Sequence, residues 1–316
     1  ITRRQFIERA LLLGLSATAV GALAGACGEG GGGGGQSTVP PMDETKPAEV
    51  TFYDWTDYLD PEIITSFKKK TGVAVNEVYF SSNEEMLSKL RAGAKGYDVM
   101  VPSDYMVHIL LKSGLIQPLH MDLLPNFETV LPQFRRPPFD PEDDGLKYSV
   151  PYDWGTTGIS VRLDKVKEDV TSWTKLWDTA YKGEIQMLND EREVLGATMK
   201  MLGHSYNSTS QEELDEAVAK DIEQKPLVRA YDSNNQRRAV VSGTPLVQGW
   251  SGWLLMAYDE VGPEKMAYVL PSEGYCMYVD CMSIPVGAKS PYGAHLFIDF
   301  VLEPENYAQL VNYTWY

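Results

Sequence analysis

Val50-Thr51-Phe52-Tyr53-Asp54-Trp55-Thr56-Asp57-Tyr58, followed by Leu59-Asp60-Pro61, is the stretch whose reading decides the fold class. Its first half is rich in β-branched and aromatic side chains, which suit a pleated, buried strand. Its second half crowds aromatics and carboxylates into a turn, and Asp60 before Pro61 marks a helix start. The aspartate can accept from free N–H groups there, and proline has no N–H to lose. In an open α/β sheet, strand-to-helix turns of this kind are where ligands bind. Rings hold alkyl chains and cations on their faces while carboxylates neutralise charge, so the turn predicts a ligand that is cationic and partly apolar.

The same alternation continues downstream. The helix from Asp60 presents Ile63, Ile64 and Phe67 on one face, carries Lys68 to Lys70 in its last turn and ends at Gly72. Val73 to Phe80 reads as a second strand. Ser82 and Glu85 have capping-box spacing and open a helix to about Ala92. Tyr97 to Val101 is a short buried strand ending at Pro102-Ser103-Asp104-Tyr105, and another helix runs to Lys112. This order predicts an α/β fold with a parallel or mixed sheet. Residues 120–146 are proline-rich and acidic and read as irregular connection, and Tyr148 to Val161 reads as a first crossing between lobes.

A second α/β series follows through Trp173 to Asp178, the strand Glu184 to Leu188, helices at Asp190 to Leu202 and Glu212 to Gln224, the strand Leu246 to Trp250 and a helix from Ser251 to Glu260. The strand Tyr275 to Pro285 and the helix Pro291 to Leu302 are expected to return toward the first lobe. The expected organisation is therefore a first lobe over 48–150, a second over 151–278 and a return to the first over 279–316, with further chain expected to complete the second lobe.

The 316 residues are 43% hydrophobic and carry a formal charge of −16, which is enough apolar material for a core and more chain than one ordinary lobe needs. Such a charge disfavours a nucleic-acid partner and attracts a cationic ligand. Many acidic proteins are acidic for solubility alone, so only carboxylates that converge would mark a binding role. Thr2-Arg3-Arg4-Gln5-Phe6-Ile7 has a twin-arginine pattern, and the apolar run Ala10 to Ala26 leads to Cys27. Leu23-Ala24-Gly25-Ala26-Cys27 resembles a bacterial lipoprotein processing site, with Ala24 where Leu is usual. Residues 1–27 therefore read as an export signal ending at an acylated Cys27, and 28–47, with Gly30 to Gly35, as a flexible tether. The expected location is extracytoplasmic and lipid-anchored. Cys276 and Cys281 have an odd separation, which on a strand puts them on opposite faces, so free thiols are expected and no paired-cysteine metal site. No cofactor is expected.

Each candidate residue also has a structural reading. Asp190 and Glu193 have capping-box spacing at the mouth of a helix, and equally stand where a ligand amine would be held. Paired carboxylates also serve glycosidases. Gly249-Trp250-Ser251-Gly252-Trp253 lacks the spacing of a nucleophile elbow, and His108, His120, His204 and His295 stand singly as surface or packing residues. On a strand, Cys276, Tyr278 and Asp280 share one face, where a buried Asp beside a Tyr is either hydrogen-bonded structure or a ligand contact.

Taken together, Trp55-Thr-Asp-Tyr58, Tyr97-Asp-Val-Met-Val-Pro-Ser103, Pro151-Tyr-x-Trp-Gly155, Thr171-Ser-Trp-x-x-Leu-Trp177, Arg192-Glu-Val194 and Asp280 before Ile284-Pro285 resemble the polyamine-binding receptors of ABC transporters, the spermidine and putrescine receptors. The resemblance runs from about residue 49 to the end. It implies a two-lobed periplasmic-binding-protein fold of the type II kind, with a hinge and a ligand cleft between lobes. By position it implies that Trp55, Tyr58, Trp250 and Tyr278 flank a methylene chain, with Tyr316 adding a ring. Asp190, Glu193 and Asp280 would bind ammonium groups, Asp57 would hold a terminal amine, and Thr56, Ser103 and Tyr105 would add hydrogen bonds. Tyr278 stands where a Trp is often found, and Asp104 adds a carboxylate the pattern lacks. The implied partners are a polyamine, an ABC permease and the cytoplasmic membrane through the lipid anchor, with no nucleic acid and the receptor a monomer. The rival readings are a receptor of this fold for ferric iron or an amino acid and, more distantly, a glycoside hydrolase using Asp190 and Glu193.

Overall fold

β1 (Glu49–Trp55) is buried on both faces, so it reads as a nearly continuous apolar run rather than an alternating one. The computed structural model describes residues 39–142 and 144–316, so the export signal, Cys27 and most of the expected tether lie outside the described residues. After β1 come α1 (Pro61–Thr71), β2 (Ala74–Phe80), α2 (Asn83–Arg91), β3 (Val99–Met100) and α3 (Asp104–Lys112). The three strands form a parallel sheet in the order β2-β1-β3. Asp60 accepts from the Glu62 N–H at 2.9 Å, and Gly72, at φ 80°, turns its N–H back to the Lys68 carbonyl. These caps satisfy backbone groups at both ends of α1, and only glycine takes that φ without steric cost. The connection that follows α3 contains three short 3-10 turns, Met121–Leu123, Pro125–Thr129 and Pro132–Phe134.

β4 (Val150–Arg162) is 13 residues long and serves two sheets. Its first half pairs antiparallel with β9 (Met277–Met282), from Val150↔Met282 to Thr156↔Met277, with a register shift between Pro151 and Asp153. Its second half pairs antiparallel with β7 (Leu246–Trp250) and β8 (Met266–Val269). With β5 (Ile185–Met187) and β6 (Val228–Tyr231) these make a sheet in the order β6-β5-β7-β4-β8. Its helices are α4 (Glu191–Met201), α5 (Gln211–Gln224), α6 (Gln236–Val241), α7 (Ser251–Leu255) and α8 (Tyr258–Val261).

The cores follow the sheets. The first gathers β1, β3, β9 and the last two helices, α9 (Pro291–Val301) and α10 (Pro304–Thr314). Phe297 of α9 lies edge-on to Phe52 at 5.0 Å and to Phe67 at 5.2 Å, which ties the returning chain to β1 and α1. Trp173, Ile185 and Leu246 centre a second core, and Val240, Val247 and Leu254 a smaller one on the same sheet.

Local corrections to the sequence reading have local causes. The helix expected over Ser251 to Glu260 is two short ones, because the Ala257 N–H bonds the Leu254 carbonyl and tightens the turn. Tyr97 is not in a strand; its ring stacks on Tyr53 at 4.1 Å beside the two-residue β3. Trp173–Trp177 is a 3-10 turn. The four-residue β6 and β8, at the edges of the second sheet, are additional elements.

Candidate functional site

Between the two cores lies a narrow cavity walled by the ends of β1, β7 and β9 and by the first turns of α3 and α4. From β1 and its turn, Trp55, Thr56 and Tyr58 enter it. The Trp55 indole N–H donates to the Val101 carbonyl at 3.0 Å, and its ring lies edge-on to Trp250 at 5.3 Å. Trp250 comes from the far sheet at the end of β7, its own N–H held by Gln236 Oε1 at 2.8 Å. Tyr58 lies edge-on to Tyr316 at 5.3 Å, and Tyr278 is 6.4 Å from Tyr316, so the rings form a continuous aromatic wall. Gly155 stands behind this wall, where a Cβ would collide with the Tyr278 hydroxyl.

Two sets of carboxylates face the cavity, one from β9 and one from the first turn of α4. Asp280 on β9 accepts from the Tyr58 hydroxyl at 2.9 Å and from Ser103 Oγ at 2.6 Å. Ser103 in turn accepts from Asn83 Nδ2 at 3.0 Å. Burial pushes the Asp280 carboxyl up to about 7, against the pull of these two hydrogen bonds. On the opposite side, Asp190 caps α4 by accepting the Glu193 N–H at 3.0 Å, and Glu193 accepts from the Tyr206 hydroxyl at 2.7 Å. Both are buried, and that burial raises both carboxyls, with the Glu193 charge raising Asp190 further. The capping and cavity-lining readings therefore hold together. Among the described residues, Asp104 adds a fourth carboxylate and Arg192 is the one cation lining the cavity.

Of the residues expected to meet ligand, Trp55, Thr56, Tyr58, Ser103, Tyr105, Asp190, Glu193, Trp250, Tyr278, Asp280 and Tyr316 converge here. Asp57 does not. Its φ of 54° swings it out of the turn, and its exposed side chain lines a separate hollow with Arg237 and Tyr313. The other carboxylate of the opening stretch, Asp54, is fully buried beneath the turn. One of its oxygens accepts the Trp55 N–H at 2.7 Å, and burial raises its carboxyl well above the usual range. The turn thus supplies rings, while the charge comes from other elements.

Residues the sequence reading did not assign to the site include Asn83, Asn234, Trp253 and Cys276. Asn83 follows the Ser82 cap and is buried, an unusual fate for asparagine at a helix mouth. Asn234 follows the unexpected β6 and meets Thr56 Oγ1 at 3.4 Å. Cys276 and Cys281 are both free. His295 packs internally, accepting the His120 N–H at 2.9 Å.

Two lobes, a long strand that pairs with both β9 and the second sheet, and a cleft lined from both sides define a solute receptor of the two-lobed periplasmic-binding-protein type. Residues 62–316 match the bacterial extracellular solute-binding protein family, and the chain belongs to it. The chain is 37% identical over 257 residues to the spermidine/putrescine-binding periplasmic protein of Escherichia coli K12, covering 80% of this chain and 72% of the relative. Among solved structures it is similar to a provisionally named spermidine/putrescine ABC transporter of Listeria monocytogenes, with a TM-score of 0.81, 35% identity and coverage of 85% of this chain and 83% of the other. It is also similar to a lipoprotein of Treponema pallidum, with a TM-score of 0.75, 30% identity and coverage of 84% of each chain.

Proposed function

We propose that this protein captures a polyamine outside the cytoplasmic membrane and delivers it to an ABC permease, as a binding protein without catalysis. The observation that carries the reading is the aromatic slot of Trp55, Tyr58, Trp250 and Tyr278, flanked by Asp280 on one lobe and by Asp190 with Glu193 on the other. Each amine held by a carboxylate contributes roughly 1.5–3 kcal/mol and each buried methylene about 0.8 kcal/mol. Two anchored amines and a four-carbon spacer can then offset closure costs and leave binding near −8 kcal/mol, roughly micromolar. Ferric iron would leave the indoles of Trp55 and Trp250 without a role.

The division into lobes over 48–150 and 151–278 with a return over 279–316 belongs to the same proposal, as does a monomeric receptor. So does anchoring through Cys27, supported by the Leu23 to Cys27 pattern and by the likeness to a lipoprotein. Calorimetric titration with putrescine, spermidine and lysine, beside Asp280→Asn, tests the reading. Saturable polyamine binding that the variant loses is expected, and folded protein that takes up no polyamine would overturn it.

A further inference from the structure

α4 contains one glycine, Gly196, on the turn after Glu193, where glycine costs about 1 kcal/mol relative to alanine. A Cβ at Gly196 would overlap the ring of Tyr206. Tyr206 comes from the loop between α4 and α5, fills that notch, and donates its hydroxyl to Glu193 Oε2 at 2.7 Å. The Arg192 guanidinium lies 5.3 Å from the same ring and donates to Asn207 Oδ1 at 2.6 Å. It also lies 4.1 Å from the ring of Tyr105, which belongs to the first lobe. Asp104, Tyr105, Arg192 and Cys276 line both the ligand cavity and a more open hollow beyond it, where Tyr206 and Asn207 lie too. These residues are the partition between the slot and the outside.

We propose that Tyr206, seated in the notch left by Gly196, is a positioning residue for the amine site, holding the Glu193 carboxylate toward the slot and Arg192 against Tyr105. The inference rests on the polyamine reading above. A phenol suits this place because it stabilises a carboxylate without adding a positive charge that would repel an ammonium. The phenol holds the Glu193 carboxylate through one oxygen, Oε2. Arg192, backed by Tyr206, becomes a cation-π contact across the cleft, available only when the lobes are closed.

Glu193 is faced by Asp190 and Arg192 on its own helix, by Tyr206 and Cys276 from neighbouring loops, by Thr157 of β4, and by Tyr268 of β8. Burial raises its carboxyl, and the Tyr206 hydroxyl is foremost among the groups that draw it back down. Ammonium binding needs the ionised form, so affinity falls as pH drops through the carboxyl's range. Removing the hydroxyl moves that fall to higher pH.

Tyr206→Phe keeps the ring in its notch and removes only the donor. Polyamine dissociation constants measured by calorimetry from about pH 5.5 to 8.5 would test it, beside thermal unfolding. The expected result at neutral pH is roughly tenfold weaker binding, an acid-side loss shifted upward in pH, and near-normal stability. Equal affinity with coincident pH profiles would overturn the proposal. Weaker binding with an unshifted profile would also overturn it, since that outcome assigns Tyr206 to packing. Wild-type protein that takes up no polyamine would instead sink the functional reading, and this inference with it.

Discussion

The Tyr58 hydroxyl donates to Asp280 Oδ2 at 2.9 Å although 222 positions separate the two residues. The bond fastens the β1 turn to β9 and aims the carboxylate into the slot. Asp280→Asn removes the charge and replaces one acceptor with a donor that faces another donor. Polyamine binding should weaken at least about a hundredfold, since a buried ammonium would lose its counter-charge. Tyr58→Phe keeps the ring and the charge, and should weaken binding only about tenfold. Both are read by calorimetry.

Proton release should accompany capture. The Asp280 carboxyl is held up at about 7, and burial also raises Asp190 and Glu193. An ammonium favours the ionised form, so binding lowers these values and expels protons near neutral pH. Affinity should therefore increase from about pH 6 to 8, below the range where the amines themselves lose protons. Apparent binding enthalpy measured in buffers of different ionisation enthalpy should give a slope of about one proton released. A flat slope would mean the carboxylates are already ionised in the empty site.

Asp57 and Asp190 separate residues that the chain brings to the ligand from residues it does not. Asp190 is buried in the cavity wall, whereas Asp57 points to solvent. Asp57→Asn should leave affinity within about twofold of wild type, and Asp190→Asn should cost more than about tenfold. Equal losses in the two variants would show that the turn refolds around ligand.

Phe297 should report on the first lobe alone. Its ring meets Phe52 and Phe67, and it is fully buried. Phe297→Ala should lower stability by about 3–5 kcal/mol in urea unfolding, through lost burial and the cavity left behind.

The order of strands and helices was legible where local chemistry is decisive. Residues 50–61 carry a β-rich run and a capped proline, and α1 ends on lysines and Gly72. β6 and β8 escaped because four-residue edge strands carry too little periodicity. In the site, rings and carboxylates at element ends could be read from position. The direction of Asp57 could not, because one left-handed residue reverses it. Arg192 was hidden for another reason: a cation among carboxylates runs against the charge argument, and only tertiary packing shows it resting on tyrosines.

β4 belongs to two ladders at once, pairing with β9 up to Thr156 and with β7 and β8 from Thr157 onward. A cut placed anywhere within Val150–Arg162 would take a strand from one sheet or the other. The lobes are therefore architectural halves rather than exchangeable genetic modules, and grafting one onto a foreign partner would expose an unpaired strand edge. Homologous recombination within this fold should succeed at the connections around β4 and fail inside it.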